Sequence, residues 1–228
     1  MRILVLGAGK TGKLVADVAA EHGHSVNVLD AKENKDAAAL TAPFVAGFDC
    51  LIDFTTPEAA ISNMRACLAV GAKMVIGTTG WYDKLPDMKS LAERRGASLL
   101  YGTNYSIGVQ FMFKLADKMA ESLKNAGYTF SISETHHESK LDSPSGTAIT
   151  LRDAVKTIAG VDVPVEAFRT GDVAGIHTLV AQSASDRITL THESSSRRPF
   201  AEGAVRAAEW LVKQREGIYD LQNVFDKF

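Results

Sequence analysis

A glycine motif near the start of the sequence constrains the fold more than any other feature. Residues 7–12 have the sequence Gly-Ala-Gly-Lys-Thr-Gly, follow the apolar run Ile3–Leu6 and precede a segment with helical periodicity. In such a strand-loop-helix unit the first glycine permits a tight turn. The second lets the backbone approach a pyrophosphate, and the third permits close packing of helix on strand. The motif therefore predicts a dinucleotide-binding βαβ unit.

An acidic residue follows at the end of the next predicted strand. Asp30 lies 18 residues after Gly12 and directly after the run Ser25–Leu29, where a carboxylate can accept hydrogen bonds from ribose hydroxyls. Lys32 and Lys35 lie close behind it and could pair with a 2′-phosphate. NADH and NADPH therefore both remain candidate cofactors. A Walker-type phosphate loop is excluded because no Gly-Lys-Ser/Thr follows a four-residue spacer.

The first part of the chain alternates β-rich runs with helical patterns, which is typical of a parallel sheet. The predicted strands are Ile3–Leu6, Ser25–Leu29, Cys50–Phe54, Met74–Ile76 and Ser98–Leu100. The predicted helices are Gly12–Glu21, Glu58–Val70 and Tyr82–Arg95. Thr56 and Pro57 have the residue types expected at the cap and first turn of the second helix. These patterns predict an α/β, Rossmann-like domain.

After Ser106 the rhythm changes and predicts a second domain of α+β type. Its predicted elements are the helix Val109–Leu123, the strand Tyr128–Glu134, the helix Ser145–Ala159 and two antiparallel strands, Ile176–Ala184 and Arg187–His192. An Ala-rich helix over Ala201–Gln214 is predicted to pack back on the first domain. We therefore expect the dinucleotide-binding domain to comprise residues 1–104 and 202–228, and the second domain, with a mixed or antiparallel sheet, to comprise residues 105–201.

Charge and composition narrow the class of partner. The formal net charge of −2 lacks the basic excess of a nucleic-acid binder. No run approaches the roughly 18 apolar residues of a membrane span, and the apolar start leads into the glycine motif rather than a cleavage site. Cys50 and Cys67 have neither CxxC nor zinc-ligand spacing, so we interpret them as core residues. We expect a cytoplasmic protein with a small-molecule partner.

One segment concentrates polar and titratable side chains. Residues 134–148 have the sequence Glu-Thr-His-His-Glu-Ser-Lys-Leu-Asp-Ser-Pro-Ser-Gly-Thr-Ala. A histidine such as His136 can deliver a proton near neutral pH, and Lys140 can polarise an anionic or carbonyl-like group. Residues 145–147 open a predicted helix, whose first N–H groups suit a carboxylate. The segment therefore indicates a proton donor beside an anion site.

Further cationic residues follow in the same half of the chain, at His177, His192, Arg169, Arg197 and Arg198. Together they predict a positive cluster that suits an anionic small molecule. Each residue also has a structural alternative, since adjacent histidines are often one buried and one solvated, a lone lysine is usually at the surface, and Ser-Gly-Thr can be a simple cap. We expect no metal site here, because His136 and His137 are adjacent and neither cysteine is near in sequence.

The segment resembles the signature of the 4-hydroxy-tetrahydrodipicolinate reductase family, formerly dihydrodipicolinate reductase, of lysine and diaminopimelate biosynthesis. The resemblance extends over essentially the whole chain, including the glycine motif, Asp53-Phe54-Thr55 with Pro57, Gly77-Thr78-Thr79-Gly80, Asn104–Val109, Gly175 with His177, Ser196-Arg197 and Phe200-Ala201 with Gly203-Ala204. It implies NAD(P)H-dependent reduction of a cyclic imine dicarboxylate with loss of water. It also implies a homotetramer assembled through the second domain.

The resemblance assigns roles residue by residue. It implies that His136 is the general acid and that Lys140 binds and polarises the substrate. The residues implied to hold the substrate carboxylates are His137, Ser145, Gly146 and Thr147. Those implied to bind the dinucleotide are Gly7, Gly9, Lys10, Thr11, Gly12 and Asp30, with Phe54, Gly77, Thr78, Thr79 and Asn104 at its nicotinamide end.

Two other functions are weighed against this one. A semialdehyde or amino-acid dehydrogenase with the same nucleotide domain would need a catalytic cysteine or a different Lys-Asp pair, and Cys50 and Cys67 lack suitable partners. A protein that senses NADH without catalysis would not need His136, Lys140 and residues 145–147 together. It would also usually carry a basic DNA-binding element, which the sequence lacks.

Overall fold

Within residues 1–227, which a computed structural model describes apart from the side chains of Asn223 and Asp226, the strands form two separate sheets. In chain order the strands are β1 (Arg2–Leu6), β2 (Ser25–Leu29), β3 (Cys50–Asp53), β4 (Lys73–Ile76), β5 (Ser98–Tyr101), β6 (Thr129–His136), β7 (Val165–Arg169), β8 (Gly175–Gln182), β9 (Arg187–Ser194) and β10 (Gly217–Asp220). Each sheet belongs to its own compact unit.

The helices in chain order are α1 (Lys10–Glu21), α2 (Ala42–Val45), α3 (Pro57–Leu68), α4 (Leu85–Arg95), α5 (Ile107–Leu123), α6 (Gly146–Ala159), α7 (Arg198–Leu211) and α8 (Leu221–Val224). Single 3₁₀ turns occur at Lys35–Ala37, Tyr82–Lys84 and Phe225–Lys227. None of these described helices is both long and apolar enough to cross a membrane. The first unit comprises Met1–Tyr105 and the described residues from Phe200 onward, and the second comprises Ser106–Pro199.

The first unit is built on a parallel sheet with the strand order β10-β5-β4-β3-β1-β2. From β1 the chain moves to β2 on one side and then returns to β3 on the other side. The strand order therefore reverses between β1 and β3. In open parallel sheets, ligands bind beyond the carboxyl ends of the strands at such a reversal. The predicted α/β class with a Rossmann-like sheet is confirmed.

Side-chain alternation along the strands explains why both faces of this sheet are buried. In β1, Ile3 and Val5 pack in one core with α1 and α7, whereas Leu4 and Leu6 pack in the other with α3 and α4. All four side chains are fully buried, and each such burial contributes about 1.5–3 kcal/mol. Ala204 of α7 lies in the same core as Val5, so this C-terminal helix packs against the parallel sheet of the first unit.

Helix α7 ends at Leu211, three residues before the predicted end at Gln214. Lys73 Nζ donates hydrogen bonds to the carbonyl oxygens of Leu211, Val212 and Gln214 at 3.3, 2.9 and 2.8 Å. Carbonyl groups at a helix end lack intrahelical partners, and the helix dipole favours a cation there. The ammonium group from β4 thus caps the helix at a point that local sequence does not reveal.

The sequence pattern also misses two short edge strands, β7 and β10. Strand β7 pairs in parallel with β6, and β10 extends the first sheet beside β5. Each has at most five residues, partly exposed, so its apolar pattern is weak and the neighbouring strand decides its pairing. Pairing with β7 extends β6 to His136, two residues beyond its predicted end at Glu134.

The second unit combines a four-stranded sheet with two helices on one face. The strand order is β7-β6-β8-β9, with β6 and β7 parallel and the other pairs antiparallel. Helices α5 and α6 cover the face on which Phe113 and Leu151 pack against Ile132 and Leu179. The predicted second domain with a mixed sheet is confirmed.

Candidate active site

The loops beyond β1, β2 and β3 surround a cavity of about 540 Å³ in the first unit. Its volume lies within the range of small-molecule sites, and it lies at the strand-order reversal. Four of the predicted cofactor-binding residues line it, namely Gly7, Gly9, Asp30 and Phe54. The others are not among its lining residues: Lys10, Thr11, Gly12, Gly77, Thr78, Thr79 and Asn104.

Each of the three glycines in the motif has a different structural role. Gly7 has φ +102°, and a Cβ there would lie 2.2 Å from the carbonyl oxygen of Phe54. A Cβ on Gly12 would lie 1.9 Å from the carbonyl oxygen of Gly7, so this glycine lets α1 approach the loop. A Cβ on Gly9 would meet nothing within 4 Å. Gly9 therefore leaves open backbone beside the cavity, where a pyrophosphate could approach.

Asp30 is held in place by its own loop. Its Oδ1 accepts hydrogen bonds from the backbone N–H groups of Lys32 at 2.7 Å and Glu33 at 2.9 Å. The bonds from Glu33 and Lys32 lower the pKa of Asp30, so its carboxylate stays ionised. Lys35 also lines the cavity, whereas Lys32 does not. The cavity thus has a fixed anion and a nearby cation at its β2 edge.

Asp53, at the end of β3, ties the neighbouring loops together. Its fully buried carboxylate accepts hydrogen bonds from Asn63 Nδ2 at 2.8 Å, and from Thr55 Oγ1 and Thr78 Oγ1 at 2.7 Å. Burial raises the pKa of Asp53, although these hydrogen bonds oppose the shift. The network joins the loop after β3 to the predicted Gly-Thr-Thr-Gly loop after β4. The sequence pattern assigned Asp53 no such role.

The aromatic ring of Phe54 sets the position of Gly77. A Cβ on Gly77 would lie 2.1 Å from Cζ of Phe54, so only glycine permits this contact. The Phe54 ring in turn meets the ring of Tyr105 edge-on at a centroid distance of 6.3 Å. Tyr105 Oη donates a hydrogen bond to the carbonyl oxygen of Ile76 at 3.0 Å, and Asn104 directly precedes it. The predicted nicotinamide-end residues thus lie around the loops that follow β3, β4 and β5.

In the second unit, several polar groups converge on Glu134 of β6. Its fully buried carboxylate accepts a hydrogen bond from the backbone N–H of Ser145 at 2.9 Å and another from Ser145 Oγ. Arg169 Nη2 donates to it at 3.0 Å. Burial alone would raise the pKa of Glu134, but hydrogen bonds from His177, Ser145 and Arg169 outweigh burial and lower the pKa. Glu134 is therefore a buried carboxylate that stays ionised.

His136 lies beside this carboxylate, with Nδ1 3.5 Å from Glu134 Oε2 and only 7% of its surface exposed. Its ring meets that of His177 edge-on at a centroid distance of 4.9 Å. Burial and the electrostatic interactions with His177, Lys140 and Arg169 outweigh the attraction of Glu134 and lower the pKa of His136 to about 4. His136 is therefore neutral near pH 7 in the ligand-free protein, and an acid role requires that it gain a proton.

The remaining predicted substrate-binding residues lie in the connection from β6 to α6. Lys140 Nζ forms an ion pair with Asp142 Oδ1 at 2.7 Å and has 22% of its side chain exposed. His137 Nδ1 lies 2.8 Å from Ser139 Oγ. Both side chains are thus positioned by neighbours within the same loop.

Ser145 is the N-cap of α6 and contacts the buried carboxylate of Glu134. Its Oγ accepts a hydrogen bond from the N–H of Ala148 at 3.2 Å, and its own N–H and hydroxyl both face Glu134. Ser145 therefore joins the helix start to the buried carboxylate, while Gly146 and Thr147 form the first turn of α6. The N–H groups of a first turn have no partner within the helix, which makes this turn suited to an anion.

Sheet register brings together residues that lie far apart in the sequence. It pairs Glu134 with His177 and His136 with Arg169. Gly175, at the start of β8, has φ +157°, and a Cβ there would lie 3.1 Å from His136 Nε2. The sequence pattern assigned no role to Glu134 or Gly175. Alternation along β8 could have placed His177 on the inner face, but Arg169 depends on β7, whose pattern is weak.

The family profile described as "Dihydrodipicolinate reductase, N-terminus" matches residues 1–105, and the profile described as "Dihydrodipicolinate reductase, C-terminus" matches residues 108–225. A 4-hydroxy-tetrahydrodipicolinate reductase of Christiangramia forsetii is 34% identical over 98% of this chain and 97% of its own length. The enzyme of the same name from Bordetella pertussis is 38% identical over 77% of this chain and 72% of its own.

Solved structures show the same fold. A dipicolinate-bound dihydrodipicolinate reductase from Paenisporosarcina sp. TG-14 aligns with a TM-score of 0.76 over 98% of this chain and 99% of its own, at 22% identity. An amine dehydrogenase from Mycobacterium smegmatis aligns with a TM-score of 0.64 over 97% and 95%, at 11% identity. At these identities the likeness concerns the fold alone.

Proposed function

Because this chain belongs to the dihydrodipicolinate reductase family, we propose that it reduces 4-hydroxy-tetrahydrodipicolinate to tetrahydrodipicolinate with loss of water. Family membership makes it an NAD(P)H-dependent oxidoreductase of lysine and diaminopimelate biosynthesis. In this proposal, residues 1–104 and 202–228 bind the dinucleotide. Residues 105–201 bind the substrate and support oligomerisation.

One observation carries the choice of substrate class. A buried imidazole, His136, lies within the electrostatic reach of Lys140 and Arg169. Helix α6 begins beside the carboxylate of Glu134, which also lies next to His136. Cations and a helix N-terminus together favour an anion, so a dicarboxylate suits this position. The arrangement supports a small dianion held next to a potential proton donor.

The residues of the first unit fit a dinucleotide, because Gly9 leaves open space and Asp30 lies at the end of β2. A dinucleotide held by these residues would supply the hydride, from C4 of its nicotinamide, that reduces an unsaturated carbon of the cyclic imine once the hydroxyl has left as water. His136 supplies the accompanying proton. Lys140 and the first turn of α6, with His137, hold the carboxylates and stabilise negative charge.

Proton uptake on dicarboxylate binding follows from the low pKa of His136. A dianion beside the imidazole stabilises its protonated form and raises its pKa above the ligand-free value of about 4. At pH values between the His136 pKa of the free protein and that of the complex, dicarboxylate binding is accompanied by protonation of His136. The affinity for the dicarboxylate therefore decreases as the pH rises through the pKa of the complex. We expect pyridine-2,6-dicarboxylate binding at pH 6 to consume up to one proton, measured by calorimetry in buffers of different ionisation enthalpy.

The variant His136→Asn separates this proton from others. It should bind the dicarboxylate with less proton uptake than the wild type, whereas His22→Asn, which alters a histidine of the first unit, should leave the uptake unchanged. Equal uptake by wild type and His136→Asn would contradict the assignment. Absence of dicarboxylate binding by the wild type would contradict the proposed substrate class.

Asp30 is the residue that we propose to bind the adenine-side ribose. Its ionised carboxylate can accept hydrogen bonds from two hydroxyls, and it would repel a 2′-phosphate. Loss of a hydrogen bond to a charged group costs about 1.5–3 kcal/mol, so Asp30→Ala should raise the Kd for NADH about 10- to 100-fold. The Kd for NADPH should change less, because repulsion is relieved at the same time. Fluorescence titration with both nucleotides measures the two effects.

The matched control is Glu33→Gln, which removes a neighbouring exposed charge and keeps Asp30 in place. It should leave the Kd for NADH nearly unchanged. Equal weakening of NADH and NADPH binding by Asp30→Ala would contradict a direct ribose contact and indicate a general loss of loop structure instead.

We propose a homotetramer assembled through the sheet of the second unit. Phe168 is 50% exposed, and Ile176 and Val180 are partly exposed on the face of this sheet opposite α5 and α6. Such apolar side chains favour contact with another protein surface. Light scattering coupled to gel filtration should give about four times the monomer mass, and a monomer at micromolar concentration would contradict this proposal.

A further inference from the structure

A second group of imidazoles and carboxylates lies in the first unit, at the amino ends of the strands, whereas the cavity lies beyond their carboxyl ends. His22 and His24 belong to the turn between α1 and β2, at the amino end of the strand. His22 Nδ1 and His24 Nε2 each lie 2.9 Å from Oε1 of Glu209, a residue near the end of α7. The group is thus separate from the residues assigned to cofactor or substrate.

The turn places the two imidazoles on the same side. Helix α1 ends with a hydrogen bond from the N–H of His24 to the carbonyl oxygen of Ala19 at 3.0 Å, and Gly23 between the histidines has φ +79°. This left-handed residue reverses the chain, as glycine does at many helix ends. The fold therefore pre-forms the pair of nitrogen donors.

We propose that His22, His24 and Glu209 bind one divalent transition-metal ion of the zinc type. Their donor atoms all lie within 4.8 Å of one another. Two imidazole nitrogens and one carboxylate oxygen suit zinc, whereas magnesium and calcium prefer oxygen donors alone. Tetrahedral zinc separates its ligand atoms by roughly 3.4 Å, so the present 2.9 Å contacts need to widen by only about 0.5 Å.

Groups around the three ligands complete the site. Glu202 Oε2 lies 3.3 Å from His22 Nε2, the nitrogen that does not face Glu209. Metal-binding histidines usually donate their second N–H to a carboxylate, which orients the ring. Glu202 and Glu209 are seven residues apart on α7, so they share one helix face. The side chains of His22 and Glu209 are 27% and 31% exposed, which lets an ion and a water ligand enter.

The other histidine-carboxylate group, made of Glu134, His136 and His177, is less suited to a metal. Glu134 already accepts hydrogen bonds from Ser145 and from Arg169, whose guanidinium lies 3.0 Å away and would repel a divalent cation. In the group of His22, His24 and Glu209, the Met1 ammonium lies 3.5 Å from His24 Nδ1, the ring nitrogen that does not face Glu209. Among the ion pairs of the described residues, Glu209 itself pairs with no lysine or arginine. The proposed metal would link α1 to α7 and does not depend on the proposed reaction.

Titration of the chelator-treated full chain with zinc chloride tests the site. Calorimetry should show one zinc ion bound per chain, and Co²⁺ in its place should give the intense visible absorption of a tetrahedral complex. Glu209→Gln should lower zinc affinity more than about 100-fold, because it removes a ligand, whereas Glu202→Gln should lower it about 10- to 100-fold. His137→Asn, which lies outside the group, should bind zinc as the wild type does.

Thermal unfolding in chelator provides the folding control, because Glu209→Gln should then melt close to the wild type while losing the zinc-dependent rise in Tm. No zinc binding by the wild type would overturn the proposal. Wild-type affinity in both Glu209→Gln and His24→Gln would also overturn it, since the ion would then lie elsewhere.

Discussion

Replacing His136 with alanine is expected to lower kcat about 100- to 10,000-fold, because the proton that accompanies the hydride then has no positioned donor. The imidazole is buried, 3.5 Å from an ionised carboxylate and within the electrostatic reach of Lys140 and Arg169. Removal should affect the chemical step more than substrate binding, since Lys140 and the first turn of α6 remain. Steady-state oxidation of NADH or NADPH at 340 nm measures the loss.

Two controls separate this effect from misfolding. The Kd for NADH should be unchanged in His136→Ala, because the cavity around Gly9 and Asp30 belongs to the other unit. Added imidazole should restore part of the lost rate, because the space vacated by the ring matches it. A turnover within a factor of a few of the wild type would remove His136 from its assigned role.

Substitution of Glu134 should have the largest effect on stability. The variant Glu134→Ala leaves the guanidinium of Arg169 and the groups of Ser145 without their buried partner. Breaking a buried ion pair by removing one member costs about 3–5 kcal/mol, so we expect the free energy of unfolding to fall by that amount. Urea denaturation measures it. The exposed Glu166 on β7 provides the control, and Glu166→Ala should change the free energy of unfolding by less than about 0.5 kcal/mol.

The pH dependence gives Glu134 a second, independent signature. Because folding lowers its pKa, Glu134 contributes stability that is complete above its unfolded pKa of roughly 4.3 and is lost as the pH falls toward its folded pKa. Glu134→Gln, which keeps the shape of the side chain, should therefore lose less stability than the wild type between about pH 5 and 3. Parallel curves of unfolding free energy against pH for Glu134→Gln and the wild type would contradict the role of Glu134. An unfolding free energy of Glu134→Ala equal to that of Glu166→Ala would also contradict it.

Features encoded by local sequence could be predicted. The Gly7–Gly12 motif specifies its own turn, and Thr56 and Ser145 cap helices through bonds to residues three positions later. These interactions span a few residues, so their pattern is visible in the sequence alone. The Rossmann-like sheet and the α+β second unit follow from the order of such elements.

Features that depend on pairing between distant segments could not be predicted. Strands β7 and β10 have too few residues for a clear pattern, and a neighbouring strand determines their position. The role of Glu134 emerges only when register brings His177 and Arg169 beside it. Likewise, His22 and His24 form a candidate metal site only together with Glu209, which is 185 residues away from His24 in the chain. Individual residue types were visible in each case, but their partners were not.

Turnover with the proposed substrate tests the proposed function most directly. Pyruvate and aspartate semialdehyde, condensed in situ by a separate synthase, supply 4-hydroxy-tetrahydrodipicolinate to the full chain together with NADH or NADPH. We predict a loss of absorbance at 340 nm that requires the synthase, both of its substrates and this protein, and that falls at least about 100-fold with His136→Ala. No loss of absorbance with either nucleotide would contradict the proposed reaction.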